Sequence, residues 1–239
     1  MTPEKEMGFL DHLEELRWRI IKSLLGIVVG AALVFTFMDQ VFQILLDPVL
    51  SLDEPPKLQV LKIHGMFLLK WSIALVGGLV VALPVVTYQI WKFVAPGLLK
   101  NERKYSFPVI MFSFVAFVCG IMFAYFIIIP ISLNFFASIG YVDVENNFSI
   151  NYYFSYILWV LVAAGLLFEL PVLVLILSVI GLVTPAFMRH YRRHSIVTIL
   201  VLSAFFTPPD PVSLFMMSLP LIVLYELSIG ISKIFDKPV

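Results

Sequence analysis

Apolar residues fall in long unbroken blocks along this chain, and polar residues collect between them. Four blocks are long: residues 20–38, 66–86, 107–131 and 153–180, the last interrupted only by Glu169. Each approaches or exceeds the roughly 20 residues that carry a helix across a bilayer core. Two further blocks, 195–206 and 212–225, hold 12 and 14 residues. At 1.5 Å per residue they rise only about 18 and 21 Å, against a core of about 30 Å. Thr207-Pro208-Pro209-Asp210-Pro211 joins them, and its prolines forbid one continuous helix. The pattern predicts a short terminal hairpin that thins the membrane locally. The competing expectation is a pair of ordinary helices, extended through Tyr191 and Ile231.

Two shorter amphipathic stretches flank the first span. Phe9, Leu13, Leu16 and Ile20 recur at helical spacing, which predicts an interfacial helix leading into it. Glu15 and Arg19 form an i, i+4 pair on that helix. Val41-Phe42-Gln43-Ile44-Leu45-Leu46 predicts a helix lying against the outer surface. Gly26 and Gly30 have the spacing of close helix packing in lipid, here ordinary packing. Pro84, Pro171 and Pro220 are expected to kink the second, fourth and sixth spans around a concavity. The architecture predicted is an all-α integral membrane protein: six transmembrane helices in a cupped bundle, the last two short.

Composition agrees. The 239 residues are 61% hydrophobic and 13% charged, with mean hydropathy +0.99. Soluble domains carry about 25% charged residues, so the bilayer is the expected solvent, for a single polytopic domain over residues 1–239. Net charge is zero, which gives no field for nucleic acid. Cys119 is the one cysteine and reads as a small core residue, without disulfide or metal partners. A charged segment precedes the first apolar block and no small-x-small site follows it, so no cleaved signal peptide is expected.

Charge distribution orients the spans. Lys5, Arg17, Arg19, Lys22, then Lys92, Lys100, Arg103, Lys104, then Arg189, Arg192, Arg193, and finally Lys233 and Lys237 fall on one side. Only Lys57, Lys62 and Lys70 fall on the other. Thirteen against three makes the first side cytoplasmic and puts both chain ends there. Trp18, Trp71, Trp91 and Trp159 lie near predicted span ends, as interfacial aromatics do.

Enzyme signatures are missing from the sequence. It holds no H-E-x-x-H, no G-x-S-x-G, no P-loop, no dinucleotide fingerprint and no Cys/His cluster. The expectation is a non-enzyme without cofactor. Glu169 carries the most information. A carboxylate deep in the bilayer costs about 2.5–3.5 kcal/mol on insertion scales, so it must meet water, a polar partner or a proton. That leaves a functional polar site or a structural hydrogen bond between helices. Glu226 lies nearer the cytoplasmic end, where snorkelling or capping accounts for it.

His12-Leu13-Glu14-Glu15-Leu16-Arg17 opens a series of motifs. Phe93-x-x-Pro96-Gly97-Leu98 with Glu102-Arg103 follows, then Phe168-Glu169-x-Pro171, Tyr191-Arg192-Arg193 and Thr207-Pro208-Pro209-Asp210. In this order, over nearly the whole chain, the set resembles the TatC family, core receptor subunits of the twin-arginine protein translocase. The resemblance implies a receptor for signal peptides bearing paired arginines, in the cytoplasmic (inner) membrane of a prokaryote. It implies that folded cargo proteins cross with single-span TatA and TatB partners, driven by the protonmotive force, and that the chain self-associates in the complex. It further implies that Glu15 and Glu102 bind the signal peptide, with Arg17, Phe93 and Arg103 at neighbouring positions. Glu169, Asp210 and Pro48 are implied to matter for transport.

The chemistry is consistent with that implication. Two arginines need carboxylates, and a planar guanidinium pairs with one bidentately in a way lysine cannot. A proton-coupled small-solute carrier using Glu169 is the alternative. It would need a closed midplane site and could lose Glu15 and Glu102. A purely structural scaffold would tolerate leucine at Glu169.

Overall fold

Every long apolar block forms helix. The computed structural model describes residues 9–94, 106–139, 147–179 and 181–235. The described chain begins with α1 (Phe9–Thr36), which runs from the amphipathic segment into the first span without a break. After Phe37 the chain enters α2 (Met38–Leu50), the helix expected in the first outer loop. A short strand, β1 (Lys57–Gln59), leads to α3 (Gly65–Val94). The next span is α4 (Ser106–Phe123), a single π turn (Ala124–Ile128) and α5 (Ile129–Ser138). β2 (Asn147–Ser149) pairs in parallel with β1, Leu58 opposite Phe148. α6 (Ile150–Phe168) and α7 (Leu170–Val179) form the fourth span. α8 (Pro185–His190), α9 (Arg192–Phe206) and α10 (Pro211–Phe235) complete the described chain.

Five stretches are long and apolar enough to cross a membrane: Leu10–Thr36, Gly65–Phe93, Phe107–Ser138, Ile150–Ser178 and Pro211–Lys233. α9, with 15 residues, rises about 22 Å and is short as expected. α10 corrects the other half of that expectation. Its 25 residues rise about 37 Å, so the last helix is not short. The sequence marks an end near Tyr225 because Glu226 and two serines follow it. Those groups are accommodated within the helix. Glu226 pairs with Arg192 at 2.7 Å, Ser228 donates to the Leu224 carbonyl at 2.7 Å, and Ser232 accepts from Ser178 of α7 at 2.9 Å.

α1 and α3 cross antiparallel, so the start of α1 and the end of α3 lie together at one end of the bundle, the basic end. His12 of α1 stacks on Phe93 of α3 at the basic end, while Asn151 of α6 donates to the Gly65 carbonyl of α3 at the other. α1 packs chiefly against α3. Their crossing is a glycine contact: a β-carbon on Gly30 would come within 2.6 Å of the Gly78 carbonyl oxygen. Gly26, its partner in the sequence motif, has looser surroundings, with Val85 at 3.3 Å. α4 meets α6 in the same way, Gly120 against the Ala164 backbone and Gly165 against the Phe117 ring. The main core gathers Ile73, Ile128, Phe154, Ile157 and Leu221. One expectation is corrected: Cys119 is exposed on α4 rather than in the core. Trp91 lies near the end of α3, as expected, and is buried there against Val109 and Val172.

Candidate functional site

Three polar clusters stand out in an otherwise apolar molecule. The first is at the basic end, where the start of α1 lies against the end of α3. Glu15 and Arg19, one helical turn apart, form an ion pair at 2.6 Å and are largely shielded from solvent. Arg19 also donates to Gln89 of α3 at 3.2 Å, tying the pair across the helix interface. Arg19 takes only one oxygen of Glu15. The other, Oε2, is buried and has no hydrogen-bond partner among the described residues. A buried acceptor without a donor costs about 1–3 kcal/mol, and an incoming donor would recover it. The Phe93 ring lies 4.3 Å from the ring of His12, which is one turn before Glu15 on α1, so Phe93 of α3 meets the side of α1 that carries Glu15. Arg17 is exposed and two residues from Glu15, a spacing that points it elsewhere on the helix. Glu102 and Arg103 lie outside the described residues. Gln89 is the member that sequence reading missed. Gln89 is only 9% exposed, and nothing in the sequence separates it from an ordinary polar residue at the end of an apolar block.

The second cluster surrounds Glu169, the one residue between α6 and α7. Pro171 explains the interruption, since it has no N–H for the Leu167 carbonyl and its ring crowds that turn. The Glu169 N–H bonds three residues back, to Leu166, at 3.1 Å. The helix resumes with the Leu173 N–H on the Glu169 carbonyl at 3.0 Å. The Glu169 side chain reaches α4, where Ser113 Oγ lies 2.8 and 2.9 Å from its two oxygens. Thr87 of α3 is 3.1 Å from the same hydroxyl. A relay of Thr87, Ser113 and Glu169 thus crosses three spans, and both hydroxyl residues are buried. Thr87 and Ser113 carried no mark in the sequence, because lone hydroxyls are common in spans.

The third cluster is at the opposite end. Asp210 is 2% exposed and caps α10, accepting the Ser213 N–H at 2.6 Å, with Pro211 at the first helical position. Ser132 of α5 bonds Ser213 through its hydroxyl and lies 3.5 Å from the second Asp210 oxygen. Pro48 is buried within α2 at the same end. The residues expected to matter together therefore occupy separate places: Glu15 and Phe93 at one end, Glu169 inside the spans, Asp210 and Pro48 at the other.

Comparison with known proteins gives this arrangement a context. A family model described as Sec-independent protein translocase protein (TatC) matches residues 11–220. A protein of that name from Carboxydothermus hydrogenoformans is 38% identical over 236 residues, 98% of this chain and 96% of that one. Another, from Halothiobacillus neapolitanus, is 36% identical over 232 residues, 96% of this chain, which spans 63% of that relative's length. A crystal structure of a twin arginine translocase receptor, TatC, matches with a TM-score of 0.80 at 33% identity, covering 95% of this chain and 100% of the other.

Proposed function

The chain belongs to the TatC family of Sec-independent protein translocase proteins, and on that premise we propose that it is the twin-arginine signal-peptide receptor and core scaffold of a translocase for folded proteins. It is a multi-pass membrane protein of a transport family, not a family of catalysts. The finer reading puts it in the inner membrane of a prokaryote, with the basic end in the cytoplasm. Both chain ends lie there, and six helices cross in a cupped bundle, α9 being the short one. TatA and TatB type single-span subunits are its partners, further copies of the chain join them, and the protonmotive force drives the movement.

The observation that carries the receptor reading is the Glu15 carboxylate. One oxygen is held by Arg19 and the other is buried without a donor among the described residues, on the side of α1 whose His12 stacks on Phe93. A guanidinium of the signal peptide supplies the missing donor. Its planar fork suits a carboxylate better than an ammonium does. Glu102, between α3 and α4 in sequence, is the carboxylate for the second arginine, with Arg17 and Arg103 as neighbours. The apolar part of the peptide then lies along the helix wall near Glu169, whose hydroxyl relay gives that wall a polar point. Pro48 and Asp210 serve the transport step from the far side.

The test is binding of a twin-arginine signal peptide to the purified protein in nanodiscs, beside a twin-lysine peptide, with Glu15→Ala and Glu102→Ala. The receptor requires the arginine peptide to bind more tightly and each alanine to weaken it. Equal binding of the two peptides, or indifference to both alanines, rejects the site and favours a carrier built around Glu169.

A further inference from the structure

Helix α2 contains a gap in its own hydrogen bonding. Pro48 has no N–H, so the Ile44 carbonyl, four residues earlier, loses its helical donor. The Tyr125 hydroxyl takes that place, donating to the Ile44 carbonyl at 2.7 Å. At the next residue the Tyr153 hydroxyl donates to the Leu45 carbonyl at 2.8 Å. The two tyrosines come from different spans. Tyr153 is in the first turn of α6, and Tyr125 is in the π turn that joins α4 to α5. There the Ile129 N–H reaches back five residues to Ala124, and Pro130 follows with no N–H to give. A π turn shifts the side-chain register of the helix around it. Two local irregularities, one in each partner, thus meet at a single contact.

Apolar packing lies beneath the pair. Phe42 stacks on Phe154 with centroids 4.8 Å apart, and Leu45 and Val49 join the core beside Ile128 and Ile129. Such burial holds α2 down but has no direction. Hydrogen bonds do have direction, and two on adjacent carbonyls fix the rotation of α2 about its axis. We propose that Tyr125 and Tyr153 are positioning residues for transport, docking the two α2 carbonyls at the Pro48 gap so that α2 is held in one orientation over α5 and α6. The inference rests on the translocase reading and gives Pro48 a chemical reason: it vacates the carbonyl that Tyr125 takes. The same α5 carries Ser132, which meets Ser213 and Asp210. The clamp and the α10 cap therefore share one supporting element.

The test uses the full chain with Tyr125→Phe, Tyr153→Phe, both together, and Pro48→Ala. Transport of twin-arginine cargo into membrane vesicles is read beside signal-peptide binding in nanodiscs. The double phenylalanine variant is expected to transport about five- to tenfold more slowly, from an orphaned Ile44 carbonyl and a lost hydrogen bond at Leu45, with peptide binding unchanged. Pro48→Ala returns an N–H to Ile44, so Tyr125→Phe must cost less in that background than in the wild type. Wild-type transport by the double variant, parallel loss of binding and transport, or effects that simply add to that of Pro48→Ala overturn the proposal. Hydrogen exchange of the α2 amides reads the clamp without any transport, and it is expected to quicken about tenfold in the double variant. Unchanged exchange rejects the clamp. A wild-type chain that moves no cargo rejects the translocase reading instead, and leaves the exchange result to decide the clamp.

Discussion

At the scale of single residues, the polar group inside the spans is held by the helices next to it. Glu169 is supplied by Ser113, and Ser113 is backed by Thr87. Ser113→Ala removes that donor inside the spans, and the cost should be about 1–3 kcal/mol. A thermal melt in detergent checks it, and an unshifted midpoint would mean that Glu169 draws its support from elsewhere. Asp210→Ala loses an N-cap worth about 1 kcal/mol. Asp210→Asn keeps an acceptor for Ser213 and should melt close to the wild type; equal losses for the two would rule out capping. Glu169 was legible in the sequence because a carboxylate within an apolar block has no cheap explanation. The Glu15–Arg19 pair was legible through its i, i+4 spacing, while Glu15's place among the candidate site residues came from the family resemblance alone. Gln89 and Ser113 were not legible, since their partners lie 70 and 56 residues away and only the fold brings them together.

At the scale of elements, the spans were legible and their ends were not. Hydrophobic length alone marks the four long blocks. A helix end depends on whether the next polar group finds a partner, and partners are tertiary. Glu226 looked like a boundary, but Arg192 meets it and α10 runs on to Phe235. Proline shows the same dependence. Pro171 coincides with a break at Glu169, whereas Pro84 and Pro220 sit inside continuous helices. The parallel pairing of β1 with β2 had no signature at all, being three residues long on each side. α9 is the element whose shortness has a testable use. If a thin patch of bilayer beside it eases passage of cargo, a one-turn insertion of leucines into α9 should abolish most transport while leaving signal-peptide binding intact. Normal transport by the lengthened helix would remove shortness from the mechanism.

At the scale of the whole molecule, charge asymmetry makes an orientation prediction. In a Cys119→Ala background, a cysteine at Lys237 should react only with a reagent on the cytoplasmic side, and one at Lys62 only with a reagent on the outer side. Labelling of both from one side would contradict N-in, C-in topology. The α1–α3 crossing is the joint on which the first span depends. Gly78→Leu would drive a side chain into the Ala31 backbone, 2.5 Å from where its β-carbon would stand. Overpacking of that kind costs about 1–3 kcal/mol, expected as a lower melting temperature and poorer accumulation; an unaltered melt would show that α1 is held some other way. α1 is also the barest span, with 11% of its apolar window buried. The consequence belongs to biosynthesis. Gly78 is made about 48 residues after Gly30, which at about 5–20 residues per second is about 2–10 s later. The same delay separates the arrival of the two helices in the membrane, so the first helix waits there without its lasting neighbour until the second span comes to close the glycine contact.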